Sequence, residues 1–158
     1  MDPSAAPLTG ALTALEHWAP VVWLKTSDYA YPTLETVHIV GIAMVFGTLW
    51  IVDLAILGRL RGLDVSLLAR RVLPWTLTGF LLAASSGLTM FMTNVGDLVA
   101  NPAFVLKMAL LFVAATNAGM LHARGAIDGS SRMTRMQAMA SVLIWLAVIA
   151  CGRWIAYV

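Results

Sequence analysis

The stretch from Glu35 to Leu57, ETVHIVGIAMVFGTLWIVDLAIL, is apolar for about 20 residues, long enough to cross a bilayer as a helix. Two ionisable side chains, His38 and Asp53, lie inside it. At about 100° per residue their spacing brings both to roughly the same side, with Ile42, Val45 and Leu49 between them. Ionisable groups at membrane depth are costly, so each marks a functional position whose partner must be found.

Three further apolar stretches follow. The second span is expected from about Val72 to Thr93, opening with Pro74 and Trp75, with Gly79, Ser85, Ser86 and Gly87 as small residues for close helix packing. A tight turn from Asn94 to Pro102 leads to a third span, near Asn101 to His122, with Asn101 as its cap. The fourth runs from about Ala138 to the C-terminus. Residues 1–30 do not read as a signal peptide, because Asp2 is acidic and Pro3 and Pro7 interrupt early. Leu8, Leu12, Leu15, Ala19, Val22 and Trp23 recur at helical spacing there, predicting an interfacial helix bent at Pro20. The expected architecture is therefore all-α: an interfacial segment, residues 1–30, and a four-transmembrane-helix bundle, residues 31–158.

Composition agrees, with 60% hydrophobic and only 11% charged residues, where a soluble domain carries about 25% charge. The single Cys151 excludes both an intrachain disulfide framework and a C-x-x-C-H haem attachment. Of the ten Lys and Arg residues, seven fall within 58–71 and 122–137, and the 94–101 connection has none. Both basic loops are then expected in the cytoplasm, with the N- and C-termini outside and the protein in a bacterial inner membrane. Basic residues gathered mainly in loops argue against a nucleic-acid partner and for membrane lipid.

This topology sorts the polar side chains by depth. Glu35, His38, Lys107 and Arg153 fall near the outer surface, Asp53 and His122 near the inner one. Each has a structural reading as well. His38 can hydrogen-bond a neighbouring helix, Lys107 can pair with Glu35 or snorkel, Arg153 can anchor at the interface, and Asp53 can pair with Arg59 or His122. Met90, Met92 and Met108 read as core filler.

His38-Ile39-Val40, Phe46-Gly47 and Leu49-Trp50, then Arg70-Arg71, Pro74 and Gly87, then Phe104-x-x-Lys107 with His122, resemble the helices of the bacterial HemJ-type protoporphyrinogen oxidases. The YPTLETVH, NPAFVLK and GRWIAY segments also look like an uncharacterised bacterial family of four-helix membrane proteins, and helix 1 is more weakly similar to CopD-type proteins. The chain departs from the HemJ type at Asp53, where that family tends to have Pro-Arg, and in its GRWIAYV ending. The resemblance implies haem b with His38 and Lys107 as axial ligands of the iron, in a protein of electron-transfer or porphyrinogen-oxidase-like chemistry. Arg153 at that depth suits a haem propionate, and Glu35 completes the expected outer site. Such a protein would meet a redox partner protein, a quinone or a porphyrin, and a homo-oligomer is compatible with it. The other reading is a haem-free transporter or accessory subunit in which His38, Lys107 and Glu35 form a proton or ion-pair relay.

Overall fold

The computed structural model describes residues 10, 14, 16–124, 127, 129 and 131–158. Leu8, Leu12 and Leu15, on which the expected interfacial stripe partly rests, lie outside them. Among the described residues six helices follow one another and no strand occurs: α1 Ala19–Thr26, α2 Ala30–Ile56, α3 Val65–Thr93, α4 Val95–Ala100, α5 Pro102–Ala123 and α6 Arg132–Trp154. Four of these, α2, α3, α5 and α6, are long and apolar enough to span a bilayer. Their outer surface is apolar too: Trp75 and Phe112 are 63% and 77% exposed. That pattern suits lipid as solvent and would be untenable in water. The protein is an all-α, multi-pass membrane bundle.

Several boundaries differ from expectation, each for a local reason. α3 begins seven residues earlier than expected because Asp64 caps it, its carboxylate accepting from the Leu67 N–H at 3.0 Å. Arg70 and Arg71 consequently stand on the helix, and Pro74 lies within it rather than at its opening. Lacking an N–H, Pro74 leaves the Arg70 carbonyl without its helical donor close to the polar end of the span. Ser131 caps α6, which starts at Arg132 rather than Ala138. The 94–102 connection contains the short helix α4. Pro20 sits in the first turn of α1, where its missing N–H costs nothing; a turn at His17 and Trp18 separates α1 from the helical Glu16. The expected cap at Asn101 is present: its side-chain oxygen accepts from the N–H groups of Ala103 and Phe104.

The spans form two antiparallel hairpins. α2 packs along α3, α5 packs along α6, and the hairpins meet where α2 touches α6. The first hairpin is drawn together by missing side chains. A Cβ added at Gly41 would lie 2.6 Å from the Ala83 nitrogen, and one at Gly79 would lie 2.6 Å from the Met44 Cβ. Backbones this close exchange dispersion contacts that Leu-on-Leu packing could not provide in lipid. The same seam carries a hydrogen bond from Thr76 to Thr48 at 2.8 Å. The N-terminal segment is tied to the connection between α3 and α5, where Glu16 accepts from the Gly96 N–H at 3.0 Å.

Candidate functional site

Four residue contacts build a polar layer to which every span contributes. His38 leaves α2 toward α3. Its Nδ1 lies 2.9 Å from the Ala83 carbonyl and 3.1 Å from the Ser86 hydroxyl. A carbonyl only accepts, so Nδ1 is the protonated nitrogen; in the neutral form of the ring the lone pair is then on Nε2. Ser86 is 2% exposed, with its own hydroxyl donated to the Leu82 carbonyl. The imidazole rests on Gly87, where an added Cβ would be 2.9 Å from Cε1. Thus His38 is held by Ala83 and Ser86 and accommodated by the side chain that Gly87 lacks.

Lys107 approaches from α5. Its chain lies along Gly152 of α6: a Cβ there would be 3.6 Å from Nζ, 3.7 Å from Cε and 3.9 Å from Cδ. Lys107 is close enough to both His38 and Cys151 to act on them electrostatically. A basic ring nitrogen with its lone pair available, a primary amine and a thiol therefore occupy one region of the bundle. Such a set can ligate iron, accept a proton or hydrogen-bond a polar guest.

The other expected site residues stand apart. Glu35 is exposed, one turn from His38. Arg153 is also exposed and turns along its own helix, donating to the Tyr157 hydroxyl at 2.6 Å and lying 5.0 Å from that ring's centre. Asp53 is 4% exposed, and the side chain that acts on its carboxyl is Ser141 of α6, rather than Arg59 or His122. His122 is exposed, with Nδ1 2.8 Å from the Ala118 carbonyl. Asp53 and His38 thus serve different neighbours, α6 and α3, because their stripe is wide enough to face two helices. The Asp53–Ser141 interaction is expected to show in a double-mutant cycle. Asp53→Asn and Ser141→Ala should couple by about 1 kcal/mol in unfolding free energy, whereas Asp53→Asn and His122→Ala should add.

Small residues in the second span point to close packing, but the cradle that Gly87 makes for His38 is not legible in them. The contributions of Cys151 and Gly152 also went unread, since both look like ordinary span residues. Among the described residues no three His, Cys, Asp or Glu side chains gather as a metal-binding group. An iron held within a macrocycle needs only one or two axial ligands from the chain, and His38 and Lys107 have the donor chemistry for that.

These features define a class: a four-span membrane bundle with an internal polar layer to which all four spans contribute. The chain belongs to the family of unknown function DUF6644, whose model matches residues 18–158. No curated protein and no solved structure matches it.

Proposed function

We propose that this protein binds one b-type haem near the outer face of the bacterial inner membrane and works in redox chemistry, as electron carrier or porphyrinogen-oxidase-like enzyme. The observation that carries the reading is the state of His38. Its Nδ1–H is committed to a backbone carbonyl, an arrangement that orients a ligating imidazole and raises its basicity. Lys107 lies in the same layer with Gly152 leaving room for its chain. The similarity to HemJ-type proteins supports the same pair of ligands. When bound, the haem would supply one-electron chemistry. The chain's part is to fix the imidazole through Ala83 and Ser86, to bring a second nitrogen from α5, and to exclude water with apolar spans. Arg153, on the outer end of α6, would meet a propionate by turning from Tyr157.

The test is the absorption spectrum of the purified protein. A Soret band at about one haem per chain is expected. A colourless protein after expression with ample haem would overturn the reading in favour of a haem-free relay. That relay lacks one of its three expected members in the layer, since Glu35 is exposed.

The proposed orientation places both basic loops in the cytoplasm. Single cysteines at Arg61 and Asp97, both exposed, are introduced in a Cys151→Ala background. An impermeant maleimide on intact spheroplasts should label position 97 and spare position 61 until lysis. The reverse pattern would invert the topology.

A further inference from the structure

The seams between the spans are not alike. α2 and α3 are locked by glycine contacts and the Thr76–Thr48 bond. α2 and α6 are linked by Asp53 and Ser141. α5 and α6 are tied at one end by Asn117, which donates to the Gln137 carbonyl at 3.1 Å. Near the other end, the Asn101 amide reaches the carbonyls of Ile155, at 3.2 Å, and Val158, at 2.6 Å. Between α3 and α5, by contrast, the described residues show neither a close backbone approach nor a hydrogen bond. What bridges them is a pair of rings. Phe91 of α3 and Phe104 of α5 stack with centroids 5.4 Å apart and planes inclined by 8°. Phe91 lies one turn from Gly87, on which His38 rests, and Phe104 one turn from Lys107.

We propose that the α3–α5 seam is a lateral doorway through which haem passes between the bilayer and the His38–Lys107 layer, and that the Phe91–Phe104 stack closes it. This inference rests on the haem reading above. Haem is a flat, largely apolar ring with two carboxylates, soluble in the bilayer and too wide to thread between locked helices. Among the described residues no hydrogen bond joins α3 to α5, so opening this seam below the α4 connection parts a stacked pair. The bilayer side suits an apolar guest, since Leu88 and Val105 are 62% and 54% exposed on these two helices. Once parted, both rings offer flat faces to the macrocycle.

Phe91→Cys and Phe104→Cys are combined in a Cys151→Ala background, and the haem-loaded protein is bridged with a short bifunctional maleimide. Haem transfer to excess apo-myoglobin is followed at the Soret band. Bridging should slow transfer by about tenfold or more relative to the same protein capped with a monofunctional maleimide. Phe91→Ala with Phe104→Ala should speed it by about three- to tenfold, the scale of an aromatic pair. Phe112→Ala, on the exposed face, should leave it unchanged. Equal transfer from bridged and capped protein would overturn the doorway while leaving haem binding intact. A protein that never acquires haem would instead overturn the haem reading, and the doorway with it.

Discussion

With haem bound as proposed, replacing His38 by alanine is expected to remove most of it from the purified protein, whereas Lys107→Ala should keep the colour and change the spectrum. The difference follows from how each group is held. His38 is fixed by Ala83, Ser86 and Gly87, so its loss removes the pre-oriented ligand. Lys107 reaches the layer on a long flexible chain, and losing it leaves the imidazole in place. A low-spin ferric spectrum should become high-spin in Lys107→Ala. Acid should produce the same change in the parent protein, because an amine binds iron only without its proton and protons compete for it. Gly87→Ala gives a finer test. Its Cβ would press the imidazole from 2.9 Å and should shift the spectrum while the protein still folds. Full haem occupancy with an unaltered spectrum in both His38→Ala and Lys107→Ala would rule out this ligand pair.

The second large effect is expected at the glycine seam. Gly41→Leu and Gly79→Leu each drive a side chain into atoms that cannot swing aside, the Ala83 nitrogen in one case and the Met44 Cβ in the other. Overpacking costs about 1–3 kcal/mol where neighbours can adjust; here two helices must separate, so about 3 kcal/mol or more is expected. For a chain of this size that corresponds to a fall in Tm of about 6–12 °C. Gly47→Ala and Gly119→Ala are the controls. Nothing lies within 4 Å of a Cβ at either position, and alanine is the better helix former by about 1 kcal/mol. Thermal unfolding in detergent, followed by loss of monodisperse protein, reads all four. Equal Tm values across the set would mean that close approach of α2 and α3 does not hold the bundle together.

Much of the fold is legible in the sequence because a bilayer makes length and polarity nearly decisive. The four spans and the Asn101 cap follow from runs of apolar residues and from one Asn before Pro102. The earlier start of α3 is less visible, since Arg59, Arg61, Arg70 and Arg71 read as one basic loop although Asp64 divides it. The polar residues of the spans can be recognised by type, but their partners cannot. The partner of His38 is a backbone carbonyl, which any residue at position 83 would supply, and the room for Lys107 is a glycine on another helix. Asp53 shows the same limit: among several polar candidates at its depth, only the rotation of α6 selects Ser141. Helical period gives the side of a helix, whereas the neighbour that fills that side is a property of the assembled bundle.

The α2–α6 contact between hairpins has a consequence for how this protein is put together. Each hairpin closes on itself, the first by glycine contact and the second by its Asn ties, so each can be complete in the bilayer before it meets the other. Docking is then a late and separable event, with the buried carboxyl of Asp53 as the polar grip that registers one half against the other. A lesion there would not expel a helix from the membrane. It would leave two correctly inserted halves joined only through α4 and the Phe91–Phe104 stack, reading as native in every sidedness assay, yet with the imidazole on one half and the amine on the other.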